Sequence, residues 1–197
     1  MHTSINIAAR RLSKVIVFLT LSLIFVGALI KSHEVGLSVP DWPTSYGKQM
    51  FSFPFSEMVG GIFYEHGHRL FATIVGFFTL IQFIVLSFTD HPMWVKKMSF
   101  IALVLVITQG FLGGMTVIFF LPPQISILHG VLAQIFFISI IFIAYSLSDS
   151  RLNKKKESFP LFIKRGALVI TLLVFVQLVL GALVRHTSSG LAIPDFP

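Results

Sequence analysis

The sequence predicts an all-α polytopic membrane protein: an antiparallel four-helix transmembrane bundle, followed by a fifth helix that opens a second, parallel repeat. Three observations carry this. Of the 197 residues, 55% are hydrophobic and only 12% charged, with a mean hydropathy of +0.88, a balance that suits lipid rather than water as solvent. Uncharged runs fall at 15–30, 70–89, 98–128, 130–148 and 166–184, each close to or beyond the roughly 20 apolar residues that a spanning helix needs. A segment near the end of the first run also returns, ungapped, at the end of the last.

The first span, about 15–31, is short, but Lys14 and Lys31 bracket it and can carry their ammonium groups to the two interfaces on flexible stems. Arg10, Arg11 and Lys14 ahead of an apolar run also fit a signal peptide, although no small-residue cleavage site of A-x-A type follows. A long loop, 32–66, comes next. Its stretches VPDWPTSYG and FSFPFSEMVGG suit an ordered, turn-rich loop at the headgroup level, with Trp42 and Tyr46 in the interfacial belt. Loops of this size in a compact domain are often functional. The second span covers about 67–89 and the third about 98–120. Pro122-Pro123 ends the third, ISILHG opens the fourth at about 127–148, and a basic linker, 151–165, leads to the fifth.

Charge sets the expected topology. Arg10, Arg11, Lys14, Lys96, Lys97, Arg151, Lys154, Lys155, Lys156, Lys164 and Arg165 fall on one side, whereas Lys31, Lys48, Arg69 and Arg185 fall on the other. The positive-inside rule then makes the N-terminus cytoplasmic and the long loop external. The formal net charge of +7 is therefore read as topology, and nucleic-acid binding is excluded as a function class. With no cysteine, there is neither a disulfide nor a thiolate to hold a metal, so a metal would need His or carboxylate.

The repeat pairs GALIKSHEVGLSVPDWP at 27–43 with GALVRHTSSGLAIPDFP at 181–197, eight identities in seventeen positions. Four spans separate the copies, so both run in the same direction, and a segment reused at the fifth span argues against removal of the first. Residues 12–150 form one four-helix unit, and 166–197 the first helix and loop of an incomplete second bundle. The expectation is a truncated chain of about eight spans, in which counterparts of His68 and His129 would lie beyond Pro197.

Chemistry concentrates in FYEHGHRLF. The second and fourth spans both begin outside, at His68 and at His129, so the two imidazoles reach similar depths in one bundle. Two facing histidines can clamp a flat metal macrocycle, and bundle cores hold such groups; each could instead be an interfacial histidine bonded to a loop. Glu65 stands three residues before His68 and four before Arg69, so all three share a helix face, while His66 points elsewhere. Glu65 and Arg69 read either as a capping ion pair or as a carboxylate beside a bound ring. In TQGFLGGMTV the small residues Gly110, Gly113 and Gly114 favour close helix packing. His33 and His186 occupy different columns of the repeat, which argues against a shared ligand role.

GLSVPDWP after the first span, EHGHR at the head of the second, QGFLGGMTV in the third and LHG opening the fourth together resemble the haem A synthase family. The likeness covers nearly the whole chain, and Glu65-x-x-His68-Arg69 with the later His129 is its most specific part. The resemblance implies an oxidoreductase of the bacterial cytoplasmic membrane that converts the methyl group of haem O to a formyl group, by successive hydroxylations and loss of water. It implies that His68 and His129 are axial ligands of the substrate haem at the extracytoplasmic side. Glu65 would be the catalytic carboxylate, and Arg69 would orient it or meet a haem propionate. It further implies a haem b cofactor on a second histidine pair that this sequence does not contain. Haem O synthase and the cytochrome oxidase assembly machinery are the implied partners, and a homo-oligomer could substitute for the second bundle. Some members carry a cysteine pair in the external loop, which this sequence lacks. A bis-histidine b-type electron carrier would need the same histidines without the carboxylate, and a transporter would need the midplane polar site that the spans lack.

Overall fold

A computed structural model of the chain describes residues 2–148, 151, 159–187 and 189–191. Lys154, Lys155 and Lys156 of the basic linker, and the closing IPDFP of the second repeat copy, lie outside the described residues. Five long helices are present: α1 (His2–Ser32), α2 (Gly61–Ser87), α3 (Met93–Ile118), α4 (Pro123–Ser146) and α5 (Leu161–His186). All five are long and apolar enough to cross a membrane. Among the described residues there is no strand, only a single antiparallel bridge between Ser45 and Lys48.

The helices begin earlier than the apolar runs do. α1 continues back through Lys14, Arg11 and Arg10, and α2 starts at Gly61, which draws Glu65, His66, His68 and Arg69 into helix. The physical reason is that a charge ends a run of hydrocarbon without ending the backbone ladder: Arg, Lys and Glu are good helix formers. Pro122 and Pro123 set the start of α4, with proline in the first turn, where its missing N–H is not needed.

Helices α1 to α4 close a ring in which α1 touches α2 and α4, and α3 touches α2 and α4. α1 and α3 are thus one diagonal pair, α2 and α4 the other. The core at the end where α1 begins is made of Ile16, Val75, Leu86, Ala102, Ile140 and Ile143, all fully buried. Outward-facing Phe18, Phe25, Phe77 and Phe100 are exposed, as the surface of a lipid-embedded helix requires. Hydroxyls inside the bundle mostly turn back on their own helix: Ser13 to Ala9, Thr79 to Val75 and Ser139 to Ile135, each at 2.8 Å. Between α1 and α2 a polar side-chain pair crosses, Gln82 Nε2 donating to Ser13 Oγ at 2.7 Å. α5 packs against α4 with no buried residue, and Arg185 Nη2 donates to Ser32 Oγ at the end of α1 at 2.8 Å.

The loop from His33 to Gly60 folds over the other end of the ring. Its pivot is Asp41, whose carboxylate accepts from the Tyr46 amide at 2.7 Å, the Gly47 amide at 2.8 Å and Thr44 Oγ1 at 2.5 Å. The Tyr46 hydroxyl donates to the Ser38 carbonyl. The Trp42 indole lies directly against Gly114 of α3, where no Cβ would fit, and edge-on to Phe111. Two short 3-10 turns, Met50–Ser52 and Phe55–Glu57, complete the loop.

Partial burial of Asp41 opposes its ionisation, but the hydrogen bonds from Thr44, Gly47 and Tyr46 outweigh it and hold the carboxyl below its ordinary 3.8. A depressed folded value contributes stability that is complete above the unfolded value and lost as pH falls through the folded one. Acidification below the unfolded value is therefore expected to loosen the turn, read as a red shift of Trp42 fluorescence in a Trp94→Phe background. Asp41→Asn is expected to show the shifted emission already at neutral pH with no further acid step; identical acid curves for the two would refute this assignment.

Candidate functional site

His68 on α2 and His129 on α4 stand on diagonal helices, the first ring lying against α1 and the second against α3. They are close enough to interact electrostatically. The other diagonal supplies the space. A Cβ on Gly27 of α1 would lie 3.2 Å from His68 Cε1, and a Cβ on Gly113 of α3 would lie 3.4 Å from His129 Cε1. Each imidazole is thus backed by a glycine, tightly at Gly27 and in ordinary contact range at Gly113. Gln109 Nε2 donates to the His129 carbonyl at 3.0 Å, tying α3 to α4 at this level. The site lies five to seven residues inside the helix ends, about 7 to 11 Å at 1.5 Å per residue.

Both Nδ1 atoms are buried without a hydrogen-bond partner. Neither Nε2 has a hydrogen-bond partner among the described residues. A buried imidazole nitrogen without a partner is costly in a hydrophobic interior and calls for an explanation. Two imidazoles with unpartnered ring nitrogens, each beside a glycine, have the donor chemistry for axial ligation of an iron porphyrin, which asks for neutral imidazole. Among the described residues no group of three or more His, Cys, Asp or Glu is gathered for a bare metal ion.

Glu65 and Arg69 are brought together, but with the loop rather than with His68. Glu65 Oε2 accepts from the Val39 amide at 2.9 Å and Oε1 from Arg69 Nη2 at 2.8 Å, in a carboxylate only about 5% exposed. Arg69 also donates to the carbonyls of Val39 at 2.8 Å, Asp41 at 2.7 Å and Thr44 at 3.1 Å. No hydrogen bond joins Glu65 to His68. His66, set aside on sequence grounds, is fully buried beneath the loop: its Nδ1 lies 2.9 Å from Ser45 Oγ, and its ring centroid is 4.8 Å from that of Phe53. EHGHR therefore divides its work, with His68 turned inward and Glu65, His66 and Arg69 fastening the loop that roofs it.

The sequence reading missed Gly27 and His66. For Gly27 a signal existed, since it opens the repeated GAL; for His66 the helical spacing pointed away from Glu65, and only the fold shows that the loop occupies that side. His33 lies tilted against Tyr64, ring centroids 5.5 Å apart, and His186 closes α5, so neither joins the pair on the diagonal.

The family model of cytochrome oxidase assembly proteins, COX15-CtaA, matches residues 10–197. The chain belongs to this family. A protein named heme A synthase from Exiguobacterium sibiricum is 25% identical over 197 residues, covering 95% of this chain and 64% of that protein. Relatives of the same name from Bacillus pumilus and Halalkalibacterium halodurans are 27% and 28% identical, covering 96% and 87% of this chain and 62% and 57% of their own lengths. The chain thus spans about three-fifths of the curated COX15-CtaA relatives it matches. No solved structure matches it. As a COX15-CtaA member with five helices long and apolar enough to cross a membrane, it is a multi-pass membrane protein.

Proposed function

We propose that the chain acts as a haem A synthase, oxidising the methyl group of haem O to a formyl group within the bilayer, with an external electron acceptor taking the four electrons and an external oxygen donor supplying the formyl oxygen. The observation that carries this is the diagonal histidine pair, with unengaged ring nitrogens and a glycine behind each imidazole. His68 and His129 would hold the substrate iron, and the loop 33–60 would exclude water from the reacting edge. Oxidation of a ring methyl builds positive charge on the substituent, and a fixed anion in a poorly hydrated site stabilises that charge more than water does. Glu65 would be that anion, with Arg69 and the Val39 amide fixing its orientation.

The remainder of the reading is organisational. Residues 12–150 would form the haem-binding bundle and 166–197 the start of a second one that carries haem b. The excess of Lys and Arg at the end where α1 begins would face the cytoplasm, which puts the histidine pair at the extracytoplasmic side of the bacterial inner membrane. Haem O synthase and oxidase assembly factors would supply the substrate and take the product, and a second copy of the chain could pair with α5.

The test uses a host that makes haem O and lacks its own enzyme for haem A, followed by pigment extraction and the visible spectrum of the purified chain. Glu65→Gln keeps the shape and an acceptor for the Val39 amide while removing the charge. Haem retention close to wild type with formyl product reduced at least about 100-fold is expected, the scale for losing one transition-state contact. Unchanged haem A formation by Glu65→Gln would remove Glu65 from the chemistry. Bound haem in the wild-type chain with no haem A would leave a b-type electron carrier as the function.

A further inference from the structure

We propose that the groove between α2 and α3, at the end of the bundle where α3 begins, is a binding site for an anionic phospholipid. The groove holds about 460 Å³ and is almost wholly apolar, with Phe83 and the exposed Phe100 among its lining, their ring centroids 5.8 Å apart. Ile101 and Met93 line its walls, and Lys96 and Lys97 stand at its mouth.

The arrangement follows the layout of a lipid. Lys96 and Lys97 lie in the first turns of α3, at the level where a span meets its headgroup layer, and Phe100 and Ile101 lie one turn deeper, where acyl chains run. Lys96 Nζ donates one proton to the Ser87 carbonyl at 3.1 Å, leaving two for an external acceptor. Lys97 is exposed and has no partner among the described residues, and neither lysine has a carboxylate within ion-pair distance there. The start of α3 adds its own unsatisfied amides and positive dipole end. Two cations above an apolar trough select a ligand that is anionic at one end and hydrocarbon at the other, the recognition pattern of basic pockets between spanning helices. A smaller groove between α1 and α4 at the same end repeats the pattern, with Lys14 and Tyr145 above Val17 and Ile141.

This site is remote from the histidine pair, so its test is independent of the reaction. The purified chain, incubated in detergent with equal amounts of phosphatidylglycerol and phosphatidylcholine of identical acyl chains, is examined by native mass spectrometry. Preferential retention of phosphatidylglycerol is expected, falling about fivefold for each lysine neutralised in Lys97→Gln and in Lys96→Gln with Lys97→Gln. Lys97→Gln matters separately because it breaks no hydrogen bond of the fold. Lys31→Gln, at the opposite end, is expected to leave the preference intact, and millimolar inorganic phosphate to leave the lipid bound. Equal retention of the two lipids by wild type, an unchanged preference in the double variant, an equal loss in Lys31→Gln, or displacement by phosphate alone would each overturn the proposal.

Discussion

Arg69→Ala is expected to be the most damaging single change in the loop-bearing half of the bundle, lowering stability by about 3–5 kcal/mol, the usual consequence of removing one partner from a buried ion pair. The guanidinium donates to Glu65 and to the carbonyls of Val39, Asp41 and Thr44. Its removal leaves a buried carboxylate without its cation, facing only backbone amides, and three loop carbonyls without this donor. Arg69→Lys is expected to recover little, because a point charge cannot reproduce a planar fork that reaches several acceptors at once. The measurements are thermal unfolding in detergent and protease sensitivity of residues 33–60. Glu65→Ala combined with Arg69→Ala is expected to be milder than Arg69→Ala alone, since it removes the stranded charge. A loop that stays fully protected from protease in Arg69→Ala would show that the network does not hold it.

His68→Ala and His129→Ala are each expected to abolish the bis-imidazole haem spectrum and weaken haem retention on the order of 100-fold or more, since loss even of an outer-shell partner of a ligand costs 10- to 100-fold. The haem-free chain responds differently. Neither Nδ1 has a hydrogen bond to lose, so the apo melting temperature is expected to move by only a few degrees in either variant. That contrast separates a ligand from an interfacial histidine tied to a loop, whose removal would unsettle the apo fold. Survival of unchanged bis-imidazole absorbance in both variants would end the ligand assignment.

Much of the architecture was legible because the bilayer simplifies the code. An apolar run of the right length has little alternative to being a helix, so five spans and their alternation follow from hydropathy alone. The ends were less accessible. α2 begins at Gly61 rather than near His68 because Glu65 and Arg69 support helix as well as the hydrocarbon does, and a count of apolar residues stops at the first charge.

Within the site, the spacing of Glu65 and Arg69 gave their pairing, as four residues apart on a helix requires. It could not give the partners contributed by the loop. Val39, Asp41 and Thr44 are 25 to 30 residues away in sequence and offer only backbone carbonyls to Arg69, groups that every residue possesses and that leave no mark in composition. Gln82 shows the same limit from another side: a lone amide in an apolar run does not reveal that Ser13, on another helix, is its partner.

Gly113 and Gly114 are neighbours in the chain, yet one receives the His129 ring and the other the Trp42 indole. A single peptide unit of α3 therefore separates the seat of the Trp42 indole from that of the His129 imidazole. In a close-packed interior that does not deform smoothly, prising the indole off its seat would rock the same turn against which the imidazole leans. Opening the outer door and loosening the grip would then be one motion, with a short stretch of backbone as its hinge pin.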